Sequence, residues 1–176
     1  MVAQPSTGLA APGVRLTDRV LKMYQAPVAA YCRQSEGAIG TSVERTIDLA
    51  NMPLTPSQRT AFDRLLKVNG LLSIRRFMRT AGPYVRHVHS TSASEIHLEI
   101  RAPGTEPVMA RFLVDSQGRI GDFAVNSFRI ARNVDASLAW YMRRDGPGRT
   151  LERLEGALVR EYGSDVRECL ESLSLE

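Results

Sequence analysis

Residues 107–130 read "PVMARFLVDSQGRIGDFAVNSFRI", and this stretch decides the fold that the sequence predicts. Its apolar residues alternate with polar ones, which is the period of a half-buried β-strand and not that of a helix. The polar segment in the middle offers Gly118 for a positive φ, so it predicts a tight turn. We therefore expect an antiparallel hairpin over residues 108–128 that turns around Gln117 and Gly118.

The alternating pattern begins further upstream, directly after Pro83. Two more strand-like runs, "YVRHVHS" at 84–90 and "SEIHLEIRA" at 94–102, precede the hairpin and are separated by short polar segments. Sequential strands joined by short connections usually pair with their neighbours. The sequence thus predicts a curved, four-stranded antiparallel meander.

Helical periodicity lies on both sides of this sheet. The clearest start is Thr55, because Pro56 and Gln58 complete a capping box after it, and Asn69-Gly70 is predicted as the stop. Gly163 is predicted as a C-cap. The predicted helical runs are 16–34 with a kink at Pro27, 41–51, 55–70, 71–82, 135–144, 150–163 and a last one from Ser164. N-terminal helices, a sheet and C-terminal helices predict one α+β domain over residues 16–176, behind a flexible tail at 1–15.

This order of elements, together with the turn in "FLVDSQGRIGDFAV", resembles the nuclear-transport-factor-2-like and cystatin-like group of curved sheets over residues 16–130. The resemblance implies a sheet wrapped around helices to form a cone-shaped cavity. Some members use a carboxylate in that cavity as a general base, and others only bind ligands or partners. No tyrosine and aspartate arrangement of the enzymes can be carried over to this chain. The helices after residue 133 exceed the minimal fold, which suggests an interface.

All three histidines lie in "YVRHVHSTSASEIHLEI" at 84–100. If Ser90 faces Ser94, then His87 faces His97 and His89 faces Glu95, since facing residues on paired strands have Cβ atoms about 5 Å apart. Three imidazoles could bind Zn²⁺ in that register. Alternating His, Glu and Arg is also the ordinary pattern of a solvent-facing strand. We therefore predict a solvent-facing strand that binds no metal ion.

Two carboxylates flank the predicted turn. Asp115 is typical of a turn former, whereas Asp122 could act as a general base if it faced an apolar cavity, because burial raises the pKa of a carboxyl group. Asp122, His87 and His97 are therefore the catalytic candidates. The chain lacks G-x-S-x-G, P-loop, dinucleotide-binding and H-E-x-x-H motifs.

The net charge of +4 comes almost entirely from arginine, since Lys22 and Lys67 are the only lysines among 23 basic residues. The densest arginine groups lie in "SIRRFMRT" at 73–80 and "YMRRDGPGR" at 141–149. Acidic residues interrupt the rest, so we predict no specific nucleic-acid binding. The neighbouring Trp140, Tyr141, Arg143 and Arg144 form a candidate surface for a ligand or partner.

The two cysteines, Cys32 and Cys169, stand far apart and have no spacing that suggests a zinc site. They could form a disulfide in an oxidising compartment or remain thiols in a reducing one. No run approaches the 18 apolar residues of a membrane span. The first residues, rich in Pro, Gly, Ala and Ser, also fit a mature exported protein, so cytoplasmic and exported locations both stay open.

These observations favour a non-enzymatic binding or adaptor module, without a cofactor, that engages a protein partner or a small apolar ligand. The concave sheet or the C-terminal helices would provide its surface, and a homo-oligomer is compatible with it. Leu151, Leu154, Leu158 and Tyr162 form an apolar stripe that we expect to pack on the sheet within the chain. The alternative is a cavity enzyme of the same curved-sheet group, using a carboxylate general base on a small substrate.

Overall fold

A computed structural model of the chain describes residues 22–92, 94–115, 119–125 and 128–173, with the side chains of all of these except 86–91 and 128–133. This part of the chain contains four α-helices and one antiparallel sheet, which confirms the predicted α+β class. The helices are α1 (Val28–Thr46), α2 (Pro56–Ala81), α3 (Ile130–Tyr162) and α4 (Asp165–Ser172). The strands are β1 (Val85–Ser92), β2 (Glu95–Ile100), β3 (Val108–Val114), β4 (Ile120–Val125) and β5 (Phe128–Arg129).

Helix α1 begins directly after Pro27 and extends past the predicted end at residue 34. The first part of that predicted run, 16–21, lies outside the described residues. The separate helix expected at 41–51 is wrong, because α1 continues without a break to Thr46. Gly40 lies inside it, and a Cβ atom there would stand 3.3 Å from the flexible end of the Lys67 side chain on α2. Only a short 3₁₀ helix, Leu49–Asn51, follows α1.

Helix α2 has the predicted start and a different end. Thr55 accepts a hydrogen bond from the Gln58 backbone, and the Gln58 side chain accepts one from Thr55, which confirms the capping box. The stop predicted at Asn69-Gly70 is wrong, because the helix runs on to Ala81. Gly70 again marks a close contact, since its Cβ would lie 3.3 Å from the Ile39 side chain.

The sheet is a simple meander in the order β1-β2-β3-β4-β5. The predicted four-stranded sheet is therefore wrong in its strand count. All side chains are described in three strands, β2, β3 and β4, and these form the centre of the sheet. The predicted fourth strand is divided into β4 and β5. Val125 of β4 pairs with Phe128 of β5, so β5 runs antiparallel to β4.

Strands β3 and β4 pair as an antiparallel hairpin, as predicted. Phe112 pairs with Phe123, and a register shift follows Leu113. Asp115 closes the loop, since its backbone N–H donates to the Arg119 carbonyl at 2.9 Å. The turn residues Gln117 and Gly118 lie outside the described residues, and the hairpin ends at Val125 rather than at Phe128.

The two C-terminal helices expected at 135–144 and 150–163 are both present, as the two halves of α3 on either side of a kink, which is a break in helical geometry. Gly146 has φ 77° and ψ 170° at the kink, and Pro147 follows it. Gly163 has φ 59° and ends α3 as predicted, donating its N–H to the Val159 carbonyl at 2.9 Å. The chain then enters α4, which begins at Asp165 rather than Ser164.

The core lies between one face of the sheet and the helices. Phe77 of α2 meets Phe112 and Phe123 of the sheet, with ring centroids 6.0 and 5.1 Å away. Cys32 of α1 and Cys169 of α4 form a fully buried disulfide, which ties the first described helix to the last. No helix among the described residues is long and apolar enough to cross a membrane.

Candidate functional site

A groove of about 530 Å³ lies between α2 and the two halves of α3. Its apolar lining comes from both helices, with Leu66 on one side and Leu138 and Leu154 on the other. The complete lining is Leu66, Asn69, Ser73, Val134, Ser137, Leu138, Tyr141, Thr150, Arg153, Leu154, Ala157 and Arg160. We call this space the helix groove.

The kink in α3 gives the helix groove its second wall. Gly146 adopts a backbone conformation that is essentially restricted to glycine. Thr150, which is only 3% exposed, donates its hydroxyl hydrogen to the Gly146 carbonyl at 2.7 Å. Asp145 accepts hydrogen bonds from Arg144 before the kink and from Arg153 after it. These bonds fasten the two halves of α3 to each other.

The electrostatics of the helix groove are those of an apolar space with a cationic rim. Arg153 stacks on Tyr141, with its guanidinium carbon 4.9 Å from the ring centroid. Arg160 has no ion-pair partner among the described residues, and Arg149 and Glu152 lie beside it on the adjoining surface. Hydrogen bonds from Arg144 lower the pKa of Asp145, whose negative charge offsets part of this cationic end.

No carboxylate lines the helix groove among the described residues. A general base that abstracts a proton must lie within hydrogen-bond reach of the substrate. The helix groove can therefore enclose an apolar group and offer arginine to an anionic one, but its described lining offers no carboxylate for proton abstraction.

The predicted Trp140, Tyr141, Arg143 and Arg144 surface adjoins this groove. Trp140 is 46% exposed, Tyr141 meets it edge-on, and the Arg144 guanidinium carbon lies 4.3 Å from the centre of the Trp140 ring. The structure brings these three residues together, and Tyr141 also lines the groove. No described contact joins Arg143 to them.

The predicted general base Asp122 is buried, with 8% exposure. Its Oδ1 accepts a hydrogen bond from the Phe123 N–H at 2.8 Å. The cavity that Asp122 lines holds about 30 Å³, roughly the share of one water molecule in the liquid. Asp115 serves the turn as expected, since it accepts bonds from the Arg119 backbone and guanidinium.

The histidine register differs from the predicted one by two residues. His89, not His87, pairs with His97, and His87 pairs with Glu99. The predicted pairing of Ser90 with Ser94 is wrong. Ser92 pairs with Glu95 instead, and a register shift lies between Ser90 and Ser92.

His97 Nε2 lies 2.5 Å from Glu95 Oε1 on its own strand. The side chains of His87 and His89 lie outside the described part of the structure. Among the side chains that are described, no three His, Cys, Asp or Glu residues group as metal ligands.

The apolar stripe of α3 packs within the chain and contacts α2. Leu158 is buried, while Leu151, Leu154 and Tyr162 are partly buried against the core. The Tyr162 hydroxyl lies 2.9 Å from that of Ser73 on α2. The sequence predicted Leu154 as a core residue but not as part of a groove, because Leu66 on the opposite wall lies far away in the chain.

No protein-family model matches this chain, and no curated protein matches it. The resemblance to the curved-sheet group therefore stays a prediction.

Proposed function

We propose that this chain is a non-enzymatic binding module that holds a small apolar ligand in the helix groove. The observation that carries the proposal is an open, largely apolar space of about 530 Å³ between two helices of the fold. Ligand pockets commonly have volumes of about 300 to 1,000 Å³ and combine an apolar lining with few polar groups. The helix groove has both properties.

The polar groups at the rim indicate which apolar ligands fit best. Arg153 and Arg160 line one side of the groove. Arg153 pairs with Asp145 outside the lining, whereas Arg160 has no ion-pair partner among the described residues. A guanidinium group recognises carboxylates and phosphates through paired N–H donors. A ligand with an apolar body and one anionic end would therefore use the whole site.

Catalysis on a small substrate is less well supported than binding. Asp122, the best candidate base in the sequence, lines a cavity with room for about one water molecule. The larger groove has no described carboxylate in its lining. The small cavity beside Asp122 thus lacks the volume for a substrate, and the described lining of the helix groove lacks a carboxylate base.

Decanoate, an apolar chain with one carboxylate, is a suitable test ligand. We expect one decanoate per chain to bind, measured by isothermal titration calorimetry. Ala157→Phe fills the groove, whereas Val159→Phe adds a similar ring at a position that is 51% exposed and outside the lining. The first variant should weaken binding about tenfold or more, and the second should leave the affinity unchanged.

Equal decanoate affinity in these two variants would place the ligand elsewhere and refute the proposal. Circular dichroism and urea unfolding of both variants serve as the folding control. Arg160→Gln should weaken decanoate binding while leaving the binding of decanol less affected, because decanol lacks the charge that Arg160 would contact.

A further inference from the structure

A second cleft, separate from the helix groove, lies where the C-terminal half of α2 meets the junction of α3 and α4. It encloses about 430 Å³. Three arginines of α2 line it, and Glu161 and Asp165 face them from α3 and α4. The complete lining is Leu72, Arg75, Arg76, Arg79, Thr80, Glu161, Tyr162 and Asp165. We call it the arginine cleft.

Arg75 is unusual because its side chain is only 10% exposed and its donors are incompletely used. One Nη2 hydrogen goes to the Ala26 carbonyl at 3.1 Å. Nη1 lies 3.7 Å from Asp165 Oδ2, which is beyond hydrogen-bond length. The buried Nε has no partner in the described structure. A guanidinium group offers five N–H donors, so Arg75 has donors that no described acceptor uses.

Of the other two arginines, one forms an ion pair and the other does not. Arg76 forms an exposed ion pair with Glu161. Arg79 has no partner among the described residues and lies four residues after Arg75, on the same face of α2. Like charges at this spacing repel each other. Three cations against two carboxylates leave the described lining with a net charge of +1. Arg75 holds the buried donor without a partner, and Arg79 is an exposed cation.

We propose that the arginine cleft binds a phosphate group, either as free phosphate or as a phosphate monoester. A phosphate placed between Arg75 and Arg79 would supply several acceptor oxygens and relieve the repulsion between the two guanidinium groups. Arg76 stays with Glu161 and adds positive potential. Asp165 opposes the anion, so it limits the affinity. The three arginines attract a doubly charged phosphate more strongly than a singly charged carboxylate.

The test is calorimetric titration of the folded protein with inorganic phosphate, in buffers of constant ionic strength adjusted with chloride. We expect saturable binding of one phosphate per chain. Arg79→Gln should weaken it about tenfold, the loss expected for one charge-assisted hydrogen bond. Asp165→Asn, which removes the opposing charge, should strengthen binding. Arg143→Gln, an exposed arginine on α3 outside the cleft, is the matched control and should change nothing.

Phenyl phosphate separates the two sources of the ligand. Tighter binding of phenyl phosphate than of inorganic phosphate would assign the cleft to a monoester, and tighter binding of inorganic phosphate would assign it to the free anion. Absence of saturable phosphate binding overturns the proposal. The proposal is also overturned if Arg160→Gln loses phosphate affinity and Arg79→Gln does not, since the anion would then bind at the rim of the helix groove. Decanoate binding in the Arg79→Gln variant tests the helix groove independently.

Discussion

The disulfide between Cys32 and Cys169 should supply a large part of the stability of this fold. The cysteines are 137 residues apart, so the bond closes a loop over most of the chain. In the chain-entropy treatment, a loop of this length lowers the unfolded-state entropy enough to stabilise the protein by about 5 kcal/mol. Measured effects are usually smaller, about 2 to 4 kcal/mol. Typical domains have a total stability of only about 5 to 15 kcal/mol.

The assay is equilibrium unfolding in urea of three proteins: the oxidised chain, the fully reduced chain and Cys32→Ala/Cys169→Ala. Reduction requires unfolding first, because both sulfurs are fully buried. The reduced chain should lose about 2 to 5 kcal/mol of unfolding free energy. The alanine variant adds the loss of two small buried side chains. Equal stability of oxidised and reduced protein would refute the reasoning, as would two titratable thiols in the unfolded, never-reduced chain.

Three further predictions concern local packing and pH. Gly146→Ala should lower the free energy of unfolding in urea by about 1 to 3 kcal/mol, because a side chain is strained at φ 77° and ψ 170°. Gly148→Ala is the control, since Gly148 has open space around it and no positive φ. Equal effects of the two substitutions would show that the kink is not constrained by Gly146. Gly121→Ala should cost about 1 to 3 kcal/mol, since the new Cβ would lie 2.7 Å from the Ala38 carbonyl oxygen, while Gly37→Ala should be neutral or stabilising by up to about 1 kcal/mol. An unchanged urea midpoint in Gly121→Ala would contradict the close packing of β4 on α1. Burial raises the pKa of both Tyr24 and Tyr31 above the usual value of a phenol. The folded state therefore keeps protons that the unfolded state loses above about pH 10, so stability should fall as the pH rises past that value. Tyr31→Phe should lose less unfolding free energy per pH unit above about pH 10 than the unchanged protein. An unchanged pH dependence in that variant would show that Tyr31 does not contribute to it.

The sequence predicted helix ends and strand periods well where local chemistry determines them. The capping box at Thr55 needs only neighbouring residues, and Gly163 ends α3 because glycine adopts positive φ at little cost. The β3–β4 hairpin likewise follows from alternation and a short turn. These features could be predicted because each depends on a few consecutive residues.

Features that depend on tertiary contacts were predicted less well. Gly70 was predicted to stop α2, but it lies inside the helix where α1 and α2 approach each other closely. The histidine register depended on an irregular pairing near Ser92 that the sequence does not specify. For the helix groove, the sequence identified Tyr141 and Leu154 but not Leu66, since only the folded chain brings α2 and α3 together.

The most direct test of the proposed function is the position of bound decanoate, measured by intermolecular nuclear Overhauser effects from ¹³C-labelled methyl groups. We predict contacts from decanoate to the methyl groups of Leu66, Leu138 and Leu154, which come from both walls of the helix groove. Contacts confined to sheet residues, or no saturable binding at millimolar decanoate, would contradict it.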